Sequence, residues 1–307
     1  MISFSVFILV TQRLDRYLAI TLGIPRERLK VLIQTGAIQV NNARVRPSLK
    51  VVNRDHIKVV LPKVERTEPL PILEHSHDLL KTQQFKIDIL HHDDDVIIVN
   101  KPAGLLVHDV AGDDQDSLVA ILLRAGIQLY LSDNIRPGIV HRLDQFTEGV
   151  LVLVKSKVAY DSLKEQFKDR SVQKSYFAIL KGVPVAPEGV IDRPIGRDRA
   201  IRARKSCHHY ISGSEKDAIT NYRVVQATTN TCLVDIDLIT GRTHQIRVHF
   251  AALQCPVLGD ALYSSQSQRD DGYLLQSYRL GFKHPSSGDP VLITVPLSNR
   301  LKQYAQR

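Results

Sequence analysis

The stretch Arg136-Pro-Gly-Ile-Val-His-Arg-Leu-Asp-Gln-Phe-Thr-Glu-Gly-Val-Leu-Val-Leu-Val-Lys155 decides how the larger part of this chain is read. Its first half is polar and is broken by Pro137 and Gly138. Its second half, Val150 to Val154, is an unbroken apolar run, the pattern of a strand buried on both faces. His141, Arg142 and Asp144 therefore sit on a loop feeding a core strand, where a carboxylate is held on a rigid support. By spacing alone Asp144 reads first as a turn residue ahead of a strand, because a short motif is weak support for more.

The chain has 307 residues, enough for one large domain and a small one. Its composition, 43% hydrophobic and 24% charged, is that of a soluble globular protein, and no apolar run reaches the length of a membrane span. Met1 to Val10 is apolar but lacks a basic start and a small-residue cleavage site. Arg13, Asp15 and Arg16 follow at once, so it reads as a first strand rather than a signal peptide. Cys207, Cys232 and Cys255 are odd in number and without metal-ligand spacing, which suits a reducing cytoplasm. The net charge of +9 is concentrated: residues 1–62 carry ten Lys/Arg against Asp15, Glu27 and Asp55. That excess on a small domain points to a polyanion, most simply nucleic acid. An anionic membrane surface would want a strongly amphipathic basic helix, and none stands out.

Within the basic region, Leu14, Leu18 and Leu22 lie at i, i+4 and i+8 and predict a helix over Gln12 to Leu22. Pro25 opens and Gly36 closes a second helix, with Leu29, Leu32 and Ile33 inward and Arg26 and Lys30 together on its outer face. Ala37 to Val40 and Arg44 to Arg46 predict a hairpin across Asn41-Asn42, and His56 to Leu61 a last strand. Pro62 to Gln84, with Pro62, Pro69 and Pro71, reads as a linker.

The larger domain starts near Phe85. Ile87 to Leu90 and Val96 to Val99 are strands around His91-His-Asp-Asp-Asp95, whose contiguous residues read as a polar turn rather than a metal site. In Asn100-Lys-Pro-Ala-Gly-Leu-Leu-Val-His108, Pro102 and Gly104 bend the chain, and Lys101 and His108 are placed to face a phosphate. Lys157 to Lys168 is helical, and Lys174 to Leu180, Thr220 to Ala227 and Cys232 to Leu238 are strands. Residues 185–217 are loop-rich, with five Arg between Arg193 and Arg204, and Cys207-His-His209 reads as surface. Gly241-Arg-Thr-His-Gln-Ile-Arg-Val-His249 crowds Arg242, His244, Arg247 and His249 at what reads as a helix start with solvated basic residues.

His141-Arg-Leu-Asp-x-x-Thr-x-Gly149 resembles the central motif of the pseudouridine synthases that modify large-subunit ribosomal RNA. Asn100 to His108, the Lys174-x-Tyr176 pair, Gly241 to His249, Leu258-Gly-Asp-Ala-Leu-Tyr263 and Phe282-Lys-His-Pro285 resemble further segments of that family, so the resemblance spans nearly the whole chain. Residues 11–61 resemble the S-four-like RNA-binding domain. The chain departs from the family at Glu148, where Ser is usual, at Leu275-Gln-Ser277, where Leu-His-Ala is usual, and at Asn53-Arg54-Asp55, where Gly-Asp is favoured.

The resemblance implies an α+β fold: a mixed, mostly antiparallel sheet with flanking helices and a central catalytic cleft in residues 85–307. Residues 1–62 would be a small N-terminal α/β RNA-binding domain, joined by a linker over 63–84. It implies Asp144 as the catalytic residue, Tyr176 against the uracil, Arg247 paired with Asp144, and Arg142 filling the space a target uridine vacates. His141, Lys101, Arg242, Arg26, Arg28, Lys30, Arg44 and Arg46 are the further RNA-contact candidates. The expected partner is RNA, most simply large-subunit ribosomal RNA, met by a monomer in the cytoplasm with no membrane.

The isomerisation gains no atoms and transfers no electrons, so no cofactor and no metal are expected, and no dinucleotide or phosphate-loop glycine pattern occurs. Asp144 would either attack the sugar as a nucleophile or take a proton from the neighbouring sugar carbon. Both roles need it ionised, the form a cation such as Arg247 favours. Two rival classes stay open: a glycoside or nucleoside hydrolase, which would want Glu148 as a second carboxylate, and a non-catalytic RNA-binding assembly factor with a structural Asp144.

Overall fold

The computed structural model describes residues 2–5, 12–15, 17–18, 26–34, 36–52, 55–59, 79–82, 85–108, 117–131, 136–265 and 272–305. The chain divides into two compact units. One comprises Met1–Leu70, Val110–Asp113 and Leu131–Pro137; the other comprises Pro71–Asp109, Asp114–Tyr130 and Gly138–Arg307.

In the small unit, β1 (Ile2–Ser5), β6 (His56–Val59), β3 (Ile38–Val40) and β4 (Ala43–Arg44) form an antiparallel sheet in that order. The short strands β2 (Gln12–Arg13) and β5 (Lys50–Val51) pair beside it. Gln12 and Arg13 are therefore strand, not the start of a helix; of the helix expected to Leu22, residues 14, 15, 17 and 18 are described and helical. The second helix, α1, spans Arg26–Gln34 and buries Leu29 and Ile33, with Gly36 beyond it at φ +80°. Leu14, Leu18, Ile38, Val40, Val51 and Ile57 complete this core. Asn41 and Asn42 turn the β3–β4 hairpin at φ 52° and 64°, the left-handed pair that a two-residue turn demands. Asp55 closes the next turn by accepting the Val52 N–H at 2.8 Å.

Among the described residues of the large unit, ten strands form one sheet. Its order is β12 (Glu188–Asp192), β15 (Ile219–Ala227), β16 (Thr231–Leu238), β11 (Gln173–Lys181), β17 (Leu275–Lys283), β10 (Glu148–Val154), β9 (Val96–Lys101), β8 (Lys86–His92) and β7 (Leu79–Lys81). β18 (Pro290–Thr294) also pairs with β17. The β10–β17 contact is parallel and the other pairs are antiparallel. A two-stranded ribbon, β13 (Gly196–Arg197) with β14 (Lys205–Ser206), stands apart from the sheet. The helices are α2 (Leu118–Arg124), α3 (Lys157–Lys168), α4 (Gln245–Ala252) and α5 (Asn299–Ala305). β7 falls inside the stretch expected to be linker: Leu79 to Lys81 pair with Lys86 to Asp88, so the larger sheet begins before Phe85. Of the rest of that stretch, residues 62–78, 83 and 84 lie outside the described residues.

β10 explains the apolar run from Val150 to Val154. Leu151 and Leu153 join Ile97 and Val99 in one core, while Val150, Val152 and Val154 join Val96 and Ile98 in another. Alternate residues point to opposite faces of a strand, so burial on both faces makes every position apolar. Each such side chain contributes roughly 1.5–3 kcal/mol. Gly149 at the head of β10 has φ +112°, and a Cβ there would lie 2.0 Å from the Ser277 carbonyl oxygen. Only glycine lets β10 lie this close to β17, which sets where the preceding loop, with Asp144, meets the sheet.

Candidate active site

The Asp144 loop is pinned from below. The Lys101 ammonium, fully buried, donates to the carbonyls of Pro102, Leu105 and Gln145 at 2.9, 2.8 and 2.9 Å. Gly104 and Gln145 exchange two further bonds, backbone N–H to Gln145 oxygen and Gln145 Nε2 to Gly104 oxygen, each 3.0 Å. The bend at Pro102 and Gly104 thus wraps an ammonium, and Gln145, the neighbour of Asp144, cannot move freely. The expectation that Lys101 faces a phosphate is corrected, because its charge is engaged by carbonyls inside the fold. His141 is corrected likewise. Its ring stacks on Phe167 of α3 at 4.7 Å and its Nε2 accepts the Val152 N–H at 3.2 Å. Burial, helped by Lys174, pushes its pKa well down, so it is a neutral structural acceptor.

Asp144 opens into a cleft of about 160 Å³ lined by Arg142, Thr147, Tyr176, Arg242, His244 and Arg247 among others. Its Oδ2 stands 3.4 Å from Arg247 Nη1. Arg247 has a stronger partner: Asp260 takes its Nε at 2.7 Å and its Nη2 at 3.0 Å, a buried fork. The guanidinium also lies over the rings of Tyr273 at 4.3 Å and Tyr263 at 5.0 Å. Arg247 is thus fixed by others and presents its remaining edge to Asp144.

The Gly241 to His249 motif is buried from Gln245 onward, Arg247 and His249 included, while Arg242 and His244 are half-buried and Gly241 and Thr243 are exposed. Gln245 Oε1 accepts the Arg242 N–H and the Thr240 hydroxyl, and its Nε2 donates to Ile219 oxygen and Thr220 Oγ1. His249, fully buried, bridges Thr220 Oγ1 and Arg193 oxygen. These bonds lock the turn into α4 and leave His244 at φ 60°, a left-handed conformation for a residue with a side chain. Arg242 donates its Nε to the Asp217 carbonyl at 2.9 Å while lining the cleft.

Tyr176 lines the cleft from β11 and is 7% exposed. Burial lifts its hydroxyl to about 12, against a hydrogen bond with Ser277, so it is a neutral phenol at ordinary pH. Arg142 is exposed at the rim. Glu148, four residues after Asp144, does not turn into the cleft: its Oε1 accepts from Ser298 Oγ at 2.8 Å and Arg300 Nη1 at 3.1 Å. In the small unit Arg44 and Arg46 are exposed and Lys30 is half-buried, while the side chains of Arg26 and Arg28 lie outside the described residues.

Among the described residues no three His, Cys, Asp or Glu are grouped to hold a metal ion. The His91 to Asp95 cluster is tied up internally, Asp93 Oδ2 meeting His91 at 2.6 Å and His284 at 3.0 Å, although His91 and His92 belong to β8 and only 93–95 turn. His208 and His209 are exposed. Asp260, Tyr263 and Tyr273 are site neighbours that sequence reading did not select, and His244 entered it only as one of a basic cluster. Two of them sit in the Leu258 to Tyr263 segment, but nothing in its spacing shows that it folds back onto α4.

Fold and cleft together define an α+β enzyme that presents a carboxylate among cations. The RNA pseudouridylate synthase family model matches residues 95–252. An RNA pseudouridine synthase of Bacillus subtilis is 34% identical over 299 residues, 96% of this chain and 94% of its own length. Ribosomal large subunit pseudouridine synthase D of Zymomonas mobilis is 36% identical over 296 residues, 91% of this chain and 88% of its own. The human RNA pseudouridylate synthase domain containing 4 structure superposes with TM-score 0.55 at 28% identity, covering 70% of this chain and 90% of its own. This chain belongs to the RNA pseudouridine synthase family, whose enzymes isomerise uridine to pseudouridine in RNA.

Proposed function

We propose that this protein converts uridines of large-subunit ribosomal RNA to pseudouridine, with Asp144 as the catalytic carboxylate. The observation that carries the assignment of Asp144 is its place: an accessible carboxylate in the cleft, on a loop pinned through Lys101, with Arg247 fixed behind it. The ribosomal substrate is supported by relatives named for the large subunit. Glu148 is held by Arg300 away from a second catalytic role, which speaks against the hydrolase reading.

In the nucleophilic form, Asp144 attacks C1′ of the target uridine and the C1′–N1 bond breaks. The freed uracil turns, C5 attacks C1′ and releases Asp144, and the C5 proton is lost while N1 gains one. In the alternative form, Asp144 removes the proton from C2′ and returns it. Tyr176 packs against the uracil; as a neutral phenol it takes the C5 proton only while passing its own on. Arg142 fills the space left by the extruded base, whose unstacking costs a few kcal/mol and is least in loops. The basic residues of 1–62 hold phosphates without reading bases. The reaction needs no cofactor, and the protein acts as a cytoplasmic monomer.

The test is a map of pseudouridines in ribosomal RNA from cells with and without the gene, repeated with Asp144→Asn. Specific sites should vanish in both, while the variant still binds RNA. Unchanged maps would overturn the reading.

A further inference from the structure

His244 stands in the cleft with both ring nitrogens accounted for by geometry. Its Nδ1 is 2.7 Å from the Tyr263 hydroxyl. The same phenol oxygen accepts the Lys205 N–H at 2.9 Å. A backbone N–H can only donate, so the phenol's own proton is free to go elsewhere, and among the described residues Nδ1 is the acceptor it has. Burial lifts the Tyr263 hydroxyl to about 12, so it keeps that proton. Burial also lowers the His244 pKa, seconded by Arg247 and Arg142 and opposed by Asp144 and Asp260, so the imidazole is neutral. A neutral imidazole that accepts at Nδ1 carries its hydrogen on Nε2.

That Nε2–H is aimed at the reacting end of the cleft. It stands 3.8 Å from Asp144 Oδ2, too far for a hydrogen bond. The aim comes with backbone strain, since His244 adopts the left-handed region at φ 60°. Among the described residues this Nε2–H has no hydrogen-bond partner, and it lies less than 4 Å from the Asp144 carboxylate. If Asp144 meets the ribose at C1′ or C2′, the 2′-hydroxyl on C2′ is a neutral acceptor within reach of both groups.

Resting on the reading of Asp144 as the sugar-attacking carboxylate, we propose that His244 donates from Nε2 to the 2′-hydroxyl oxygen of the target uridine, with Tyr263 setting the tautomer. The bond distinguishes ribose from deoxyribose at the target.

Two measurements test it. Nitrogen-15 NMR of the labelled histidines should report His244 as the Nε2–H tautomer in wild type and a mixture in Tyr263→Phe. A wild-type Nδ1–H tautomer overturns the proposal, whatever the enzyme's activity. Single-turnover rates and affinities are then compared for an RNA oligonucleotide containing a mapped target uridine and the same strand with 2′-deoxyuridine there. Wild type should favour the ribose on the order of tenfold, the worth of one such bond, and His244→Ala should favour neither. His244→Gln, which keeps a donor near the same place, should recover part of the preference. An equal ribose preference in wild type and His244→Ala overturns the proposal. If instead no pseudouridine forms in any RNA, the functional reading falls, and the affinities alone decide whether His244 recognises the 2′-hydroxyl.

Discussion

Asp260, not Asp144, is the principal partner of Arg247: it takes two nitrogens at 2.7 and 3.0 Å, and Asp144 meets a third at 3.4 Å. An arginine with two carboxylates would be drawn toward whichever binds it better. Because the buried Asp260 fork wins, the accessible Asp144 is left only partly neutralised and free to react.

Asp260→Asn should therefore release Arg247 toward Asp144. Breaking a buried pair costs up to about 3–5 kcal/mol, so the melting temperature should fall along with the rate of pseudouridine formation. A variant that melts lower yet reacts at the wild-type rate would show that Arg247 needs no such anchor.

Tyr176→Phe keeps the ring and loses the hydroxyl; Tyr176→Ala loses both. The phenylalanine variant should keep stability and most substrate affinity, while the alanine variant should lose roughly 3–5 kcal/mol and nearly all turnover. With the hydroxyl at about 12, Tyr176 should add no limb to the pH–rate profile near neutral pH. Denaturant unfolding and the pH profile check both statements, and an alanine variant as active as wild type would make Tyr176 a core residue only.

Glu148→Ser should leave the pH–rate profile nearly unchanged, since Glu148 faces Arg300 and Ser298 rather than Asp144. Stability should fall, because the bonds that Ser298 and Arg300 donate to Glu148 are lost. A double-mutant cycle with Arg300→Met should return a coupling of about 0.5–3 kcal/mol. A shift of the acid limb by about one unit would instead place Glu148 in the reaction.

Lys101 predicts a pH dependence of stability. Burial lowers its pKa to about 7, against Asp144 and Glu148, which raise it. In the unfolded chain it titrates near the usual ~10.4. Between those values the unfolded state binds more protons, so stability rises with pH from about 7 to about 10, and the penalty is fully present below 7. Lys101→Met should flatten that rise, yet lower stability at pH 7 by stranding three carbonyls at about 1–3 kcal/mol each. Urea unfolding at several pH values decides it; parallel pH curves for the two proteins would refute the assignment.

Removal of residues 1–62 takes away ten Lys/Arg. RNA affinity should weaken, and the slope of log affinity against log salt should flatten by about 0.7–0.9 for each phosphate that is no longer neutralised. Filter binding across a salt series measures it, and an unchanged slope would mean that this unit does not touch RNA.

Two of the three departures from the family pattern, Glu148 and Gln276-Ser277, prove to be one neighbourhood. Glu148 lies opposite Gln276 and Gly149 opposite Ser277 in the β10–β17 register. Gln276 holds Pro296 oxygen and the Ser298 N–H, and Ser298 with Arg300 holds Glu148. Residues far apart in the chain differ from the family together around one strand pairing, which no local pattern could disclose.

By itself the sequence determined what depends on near neighbours. The double-faced strand at Val150 to Val154, the helix Lys157–Lys168 and the loop carrying Asp144 all follow from periodicity and from Pro and Gly, which act within a few residues. Only the tertiary structure decided which charges face the cleft. Lys101 and Arg142 are alike as motif cations, yet one is wrapped in carbonyls and the other is exposed at the rim. Arg247 finds Asp260 across a turn that folds back, and Glu148 finds Arg300 152 residues away. A charge takes its role from what surrounds it in space, and those surroundings come from distant segments that strand pairing alone brings together.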